Sequence, residues 1–130
     1  MPKFQKLTPN LLVADVEKSV AFYTDVLGFD RGMFVPDVAP YIFASVTSGS
    51  VEVFFNDAAV AVKEYTSLAG RPIGASGTMF IDVAGLDEYY AQVKDRVTVI
   101  VPLVTQPYGL KEFAIVDPDG YIITFAERVE

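Results

Sequence analysis

The chain has 130 residues, of which 52% are hydrophobic and 21% charged, which is enough to build the core of one globular domain. It contains no cysteine and no histidine, which excludes disulfides, thiolate metal sites and any chemistry that needs an imidazole. A formal charge of −7 makes nucleic acid and anionic membranes poor partners and favours a cationic ligand. No signal-peptide run opens the sequence and no stretch reaches the roughly 20 apolar residues of a membrane helix, so we expect a cytoplasmic protein.

The first predicted elements are a strand over residues 10–13 and a helix that follows it. Asp15 is placed to cap the start of this helix, and Gly28 to end it. The apolar residues between them fall at i, i+4, i+7 and i+11, which is one stripe of a helix: Val16, Val20, Tyr23 and Leu27. This stripe predicts a helix packed on one face of a sheet.

Two strand-like runs come next, over residues 41–46 and 51–55, with a turn-forming sequence at 47–50 between them. Side chains of a strand point to opposite faces with a period of two. One set is uniformly apolar and is predicted to lie beneath the helices: Val51, Val53 and Phe55. The alternate set suits the wall of a partly wet cavity: Glu52, Phe54 and Asn56.

The second half repeats this pattern 70 positions later, with a strand over residues 78–83 and a helical stripe made of Leu86, Tyr90, Val93 and Val97. Strand-like runs at 112–116 and 121–126 flank residues 117–120, which we interpret as a hairpin turn because a calcium loop needs a longer run of oxygen ligands. By the same alternation, three residues of the last run pack outward: Tyr121, Ile123 and Phe125. Three others face the cavity: Ile122, Thr124 and Ala126.

Residues 69–77 are rich in glycine and proline, as expected of a linker. The chain is therefore predicted to be a single domain, 1–130, made of one βαβββ module at 1–68, the linker, and a second βαβββ module at 78–130. The fold class is α+β, with largely antiparallel strands and the helices against one face of each sheet.

Residues 9–16, 21–29 and 113–120 resemble the vicinal oxygen chelate superfamily, which includes glyoxalase I, extradiol dioxygenases and bleomycin resistance proteins. The resemblance extends from about Thr8 to Glu127. It implies the glyoxalase/bleomycin resistance/dioxygenase fold, in which two modules form curved mixed sheets around a cleft.

Within this superfamily, residues 85–91 and 106–114 are most similar to the bleomycin resistance branch. The tryptophan usual in that branch is Tyr108 here, and a tyrosine offers a smaller stacking surface.

Metal-dependent members of the superfamily place one ligand on the first and last strand of each module. The positions that carry over to this chain are Thr8, Glu52, Thr78 and Thr124. Of these, only Glu52 could ligate well, because divalent ions need several carboxylates or imidazoles. We therefore expect no metal and no cofactor, with the four superfamily positions empty.

The 10 phenylalanines and 7 tyrosines exceed what two short helices and a sheet need at their centre, and aromatic planes stack on flat heterocycles. Five of them lie near loop ends or on the face of Glu52: Phe34, Tyr41, Phe43, Phe54 and Tyr108. Together with Glu52 and Asn56 they are the predicted ligand-binding residues. For each aromatic residue, packing in the core is the open alternative.

The resemblance implies a non-catalytic binding protein that sequesters a flat, cationic or metal-loaded ligand, such as a bleomycin-type glycopeptide, and so confers antibiotic resistance. It further implies a homodimer with clefts at its interface, because bleomycin resistance proteins carry a proline at the position of Pro9, where an N-terminal arm crosses to the partner subunit. The open alternative is that Pro9 only caps an edge strand.

Two alternatives remain open. One is a glyoxalase-like or dioxygenase-like enzyme, a lyase or an oxidoreductase, with an atypical site in which Glu52 acts as general base. The other is a ligand sensor or a subunit of a biosynthetic assembly.

Overall fold

The computed structural model describes residues 1–74 and 76–129, so Ala75 of the predicted linker and Glu130 at the end of the second module lie outside the described residues. The chain divides into two compact units between Arg71 and Pro72, within the segment 69–77. Each unit contains a four-stranded mixed sheet, which confirms the predicted α+β class.

The first unit has strands β1 (Asn10–Val13), β2 (Asp30–Val35), β3 (Phe43–Ser48) and β4 (Val51–Asp57). Helix α1 (Val16–Ala21) continues as a π-helical turn (Phe22–Val26), and a short helix α2 (Ala58–Ala61) and a 3-10 turn (Thr66–Leu68) follow β4. The strand order is β1-β4-β3-β2, with β1 parallel to β4 and the other pairs antiparallel.

The second unit repeats this topology with strands β5 (Thr78–Asp82), β6 (Thr98–Thr105), β7 (Leu110–Val116) and β8 (Ile122–Arg128), and helix α3 (Leu86–Val93). The order β5-β8-β7-β6 again places the first strand parallel to the last. Within the described residues, none of the helices has both the length and the apolar character needed to cross a lipid bilayer.

The predicted stripe of the first helix is confirmed, since Val16, Val20, Tyr23 and Leu27 are all buried. Asp15 caps α1 by accepting a hydrogen bond from the backbone N–H of Lys18 at 3.2 Å. Tyr23 packs edge-on against Phe55 of β4, with ring centroids 4.8 Å apart. Phe55 therefore lies beneath the helix, as the alternation predicts.

Helix α3 packs through an aromatic cluster. Tyr89 contacts Phe125 with ring centroids 5.2 Å apart, and Tyr90 contacts Phe113 at 4.8 Å. Burial in this cluster raises the pKa of Tyr89 to about 12. The helix ends at Val93. Val97, the last member of the predicted stripe, lies four positions beyond this end and is half-buried.

Residues 117–120 form the predicted hairpin turn between β7 and β8. The carboxylate of the buried Asp117 accepts hydrogen bonds from the backbone N–H groups of Asp119 and Tyr121, both at 2.9 Å. Its carbonyl oxygen accepts a third from the N–H of Gly120 at 3.0 Å. The carboxylate oxygen that could have faced a cation is thus used to hold the turn itself.

Gly74 packs closely against this turn. It has a left-handed φ of +75°, and a Cβ added there would meet the carbonyl oxygen of Asp119 and lie 2.9 Å from the carbonyl carbon of Gly120. Both observations require glycine at this position.

We expect Gly74→Ala to lower the melting temperature by about 5 °C or more, because strain at a left-handed φ costs about 1–3 kcal/mol before the steric overlap is added. Thermal unfolding followed by circular dichroism measures the change. Gly77→Ala is the matched control, since a Cβ at Gly77 meets no atom within 4 Å. Equal melting of the two variants would contradict the close approach.

Candidate functional site

Each sheet has one face covered by its helix and a second face turned away from it, which we call the far face. On the first sheet, register partners on β3 and β4 share a face, so the far face carries Phe43 with Asn56, Ser45 with Phe54, and Thr47 with Glu52. Apart from the buried Ser45, these side chains are half-buried, in contrast to Val53 and Phe55 on the helix face. The far face is therefore the polar and aromatic side of the sheet.

An aromatic pair lies at the centre of this face. Phe43 and Phe54 meet edge to face, with ring centroids 5.1 Å apart. Beside them, the side-chain amide of Asn56 donates a hydrogen bond to the amide oxygen of Asn10. The structure thus brings together three of the predicted ligand-binding residues.

Glu52 lies on the same face, but its charge is compensated. The ammonium group of Lys6 forms an ion pair with its carboxylate. Thr8, two residues further on, is half-buried, and the carbonyl oxygen of Pro9 accepts a hydrogen bond from the N–H of Phe54 at 2.9 Å. Pro9 is therefore fixed to β4 of its own chain, and the residues before it pass near Glu52, where Lys6 forms its ion pair.

Phe34 and Tyr41 form a separate cluster at the end of β2 and the loop that follows. Their ring centroids are 4.7 Å apart, and the guanidinium carbon of Arg31 lies 4.3 Å above the centre of the Phe34 ring. Within the described residues, no ring contact joins this cluster to Phe43 or Phe54. One face of Phe34 is already occupied by a cation.

On the second sheet, the register pairs Thr78 with Ile122 and Phe80 with Thr124. Phe80 was not predicted as a site residue, yet 56% of its surface is exposed. Alternation along β5 puts Phe80 on the same face as Thr78 and Asp82, and a lone aromatic residue between these two polar residues was the signal that could have identified it.

The four superfamily metal positions do not fit a divalent ion. They supply three neutral hydroxyls and the carboxylate of Glu52, which Lys6 already neutralises. In the part of the chain that the structure describes, no three acidic side chains converge on one point.

A second acid, Glu112, was not predicted from the sequence. It lies on β7 at the register position of Ala126, only 7% exposed, and Tyr108 donates a hydrogen bond from its hydroxyl to the Glu112 carboxylate at 2.7 Å. Three causes raise the pKa of the Tyr108 phenol. This hydrogen bond is the largest, desolvation is the second, and the negative charge of Glu112 is the third. The signal in the sequence was a lone acid at the start of the apolar run Phe113 to Val116.

The third acid is structural. Glu127 of β8 accepts hydrogen bonds from the backbone N–H groups of Leu86 at 3.0 Å and Gly85 at 2.9 Å, at the start of α3. These two bonds, first that of Leu86 and then that of Gly85, lower the pKa of the Glu127 carboxyl. Glu127 therefore caps the N-terminus of helix α3 from strand β8.

An open cleft of about 470 Å³ lies at this end of the second sheet. Its walls come from the end of β5 and from the facing parts of β7 and β8, and include Asp82, Leu110, Ala126 and Arg128. The cleft is large enough for part of a small organic molecule.

Two four-stranded mixed sheets of identical topology, each with a helix on one face and polar and aromatic residues on the other, define a duplicated α+β fold. The model of the Glyoxalase/Bleomycin resistance protein/Dioxygenase superfamily matches residues 7–125, and the chain belongs to this superfamily.

Similar proteins include bleomycin resistance proteins and two antibiotic-binding proteins of known structure. Bleomycin resistance proteins of Geobacillus stearothermophilus and Staphylococcus aureus are each 29% identical to this chain, over 94% of it and 96% of their own length. The bleomycin-binding protein of Streptomyces verticillus, solved with copper(II)-bleomycin, has a TM-score of 0.64 and 25% identity, covering 96% of this chain and 97% of its own. TnmS3, an antibiotic binding protein from Streptomyces sp. CB03234, shares the fold with a TM-score of 0.76 and 21% identity, covering 98% of each chain.

We expect Glu127→Gln to lower the melting temperature at neutral pH by about 2–4 °C, since a charged cap of α3 is lost. Because the folded-state pKa of Glu127 is lowered, its stabilisation is present above the unfolded-state pKa and is lost as the pH falls through the folded-state pKa. The difference from wild type should therefore shrink when melting is repeated at pH about 3. Asp95→Asn, which removes an exposed acid just past the other end of α3, should not show this loss; an equal loss in both variants would contradict the capping role.

Proposed function

We propose that this protein binds a flat, cationic or metal-loaded small molecule without turning it over, as a cytoplasmic homodimer that protects the cell by stoichiometric capture. The single observation that carries the proposal is the half-buried Phe43–Phe54 pair on the far face of the first sheet. The bleomycin resistance and bleomycin-binding relatives support the same class of ligand.

The geometry of the aromatic pair suits stacking. In an edge-to-face pair, one ring points its edge at its neighbour and leaves its own planes free for a flat heterocycle. The hydrogen-bonded amides of Asn10 and Asn56 lie on the same face and offer polar partners at the rim. Few polar groups beside an apolar plane are typical of small-molecule sites.

Electrostatics favour a cation in solution. The net charge of −7 attracts a positively charged ligand over a distance of about 10 Å at moderate salt. Tyr108 adds a second stacking surface, because 60% of it is exposed.

The N-terminal segment supports a dimer. Residues 1–7 are exposed, and among them Phe4 is 98% and Leu7 92% exposed. Two apolar side chains left in water on an extended segment favour burial against another surface. We propose that this arm, which leaves the first sheet at Pro9 and stays tethered to it by the Lys6–Glu52 ion pair, covers the partner subunit with its exposed apolar side chains, and that the ligand clefts lie at the resulting interface.

Calorimetric titration of the wild-type protein with copper(II)-bleomycin should show saturable binding, micromolar or tighter, with about two ligands per dimer and weakening in salt. Phe54→Leu should weaken this binding about 3–10-fold, since an aromatic stacking partner is lost. Tyr65→Leu removes an exposed tyrosine that lies outside the far face, and should bind as wild type. No heat from the wild-type protein at high ligand concentration would exclude bleomycin as the ligand.

Deletion of residues 1–7 should convert the dimer into a monomer, because the exposed apolar side chains of the arm, Phe4 and Leu7 together with Met1, are removed. Size-exclusion chromatography with light scattering measures the mass. Lys3→Ala changes the same arm without touching its apolar residues and should stay dimeric. A full-length chain that elutes as a monomer at micromolar concentration would overturn the dimer.

A further inference from the structure

Glu112 is a buried carboxylate that forms no ion pair with a cationic side chain of the described residues. Its side chain is on the far face of the second sheet and only 7% of the residue is exposed. Its register partners, Ala126 on β8 and Val104 on β6, are both apolar. Within residues 1–74 and 76–129, no lysine or arginine forms an ion pair with it.

Such a group is costly to bury unless its charge is paired or it accepts several hydrogen bonds. In the described part of the chain, Glu112 receives one side-chain hydrogen bond, from the Tyr108 hydroxyl at 2.7 Å. A neutral phenol is a weaker partner for a carboxylate than a charged nitrogen donor. A cationic N–H group that replaced the phenol would therefore stabilise Glu112 further.

Tyr108 is placed so that its side chain can rotate away from Glu112. It lies in the turn between β6 and β7, next to Gly109, whose φ is +89°, and 60% of its own surface is exposed. No ring contact in the described residues holds its aromatic plane. Rotation of this one side chain would break its hydrogen bond to Glu112 and would leave the ring contacts of the core unchanged.

The cleft of the second sheet borders Ala126, the register neighbour of Glu112, while Glu112 itself is not one of its lining residues. Asp82 and Glu112 occupy the register positions on either side of Ala126, so two acids flank one small side chain. Asp82 and Ala126 also line the cleft of about 470 Å³, where Arg128 supplies a single positive charge. A cationic group that entered the cleft above Ala126 would meet Asp82 directly. It would reach Glu112 on the other side of Ala126 only after the Tyr108 hydroxyl had moved.

We propose that the Glu112 carboxylate is an anchor that binds a positively charged nitrogen of the ligand, an amine or a guanidinium. In the free protein, the Tyr108 hydroxyl occupies the position of this nitrogen. The anchor rests on the proposed small-molecule binding and assigns the chemical group that the second sheet recognises. On binding, the Tyr108 ring swings away from Glu112 and its plane becomes available for stacking.

A nitrogen cation fits this site better than a metal ion. Glu112 and Asp82 belong to no group of three or more acids, histidines or cysteines in the described residues, whereas a divalent ion takes several such ligands. An ammonium or guanidinium group is satisfied by one carboxylate that accepts its N–H donors.

The test compares Glu112→Gln, Tyr108→Phe and Glu88→Gln in calorimetric titrations with copper(II)-bleomycin. Glu112→Gln should weaken binding about tenfold or more, because the charged hydrogen bond is lost. Tyr108→Phe keeps the ring and removes the competing hydroxyl, so it should tighten binding about 2–5-fold. Glu88→Gln removes the same charge from an exposed position on α3 and should change affinity less than twofold at moderate salt.

Equal affinity of Glu112→Gln and wild type would overturn the anchor and leave the proposed function intact, as would equal losses in Glu112→Gln and Glu88→Gln. Where Glu112→Gln does not fold, as judged by circular dichroism, Tyr108→Phe decides. Tighter binding supports the anchor, and unchanged or weaker binding overturns it.

A second probe separates this proposal from the choice of bleomycin. Proflavine is a flat organic cation without a metal, and the wild-type protein should bind it in a manner that Glu112→Gln weakens. Binding of proflavine but not of copper(II)-bleomycin would exclude the bleomycin assignment and retain the anchor. Failure of the wild-type protein to bind either probe would overturn the anchor as well.

Discussion

Each sheet buries one face under its helix. This burial decides which side chains of the sheet lie on the opposite face. Phe55 in the first unit and Phe125 in the second are almost fully buried, against Tyr23 and Tyr89 respectively. Burying one such side chain contributes about 1.5–3 kcal/mol, whereas a one-residue slip of the strand would move all of them to the other side. The register is fixed by this core, and the far face receives whatever residues alternate with it.

Three carboxylates beside the sheets show how differently the same group can be accommodated. Glu52 is neutralised by Lys6, and Glu127 accepts two backbone N–H groups at the start of α3. Glu112 has the most buried position and the weakest partner, the phenol of Tyr108. The first two are satisfied within the chain, which leaves the third as the acid with most to gain from an external cation.

Most of the fold could be predicted from periodicity, because the two helical stripes and the strands that flank tight turns carry clear patterns. The outer strands β2 and β6 were not located, since register shifts between Arg31 and Phe34, and between Val99 and Val104, break the alternation that identifies a strand. At Gly32 a Cβ would lie 2.9 Å from the carbonyl oxygen of Ser45, so the irregular part of β2 depends on a close approach that no local pattern reveals.

The candidate site was predictable only in part. Alternation along β4 places Glu52, Phe54 and Asn56 on one face, and the register agrees. The partners of these residues come from distant parts of the chain, as Lys6 does for Glu52, and local sequence does not encode such proximity. Their roles in binding stay predictions.

The ion pair between Lys6 and Glu52 joins the exposed N-terminal segment to the polar face of the first sheet, near the start of β4. Exposed chain termini are preferred sites of proteolytic trimming. Cleavage after Lys6 removes residues 1–6, and with them the ammonium group that pairs with Glu52. A purified sample that contains trimmed chains would therefore be a mixture of species that differ in isoelectric point and in the local potential beside the aromatic pair, so intact mass should be verified before binding stoichiometries are interpreted.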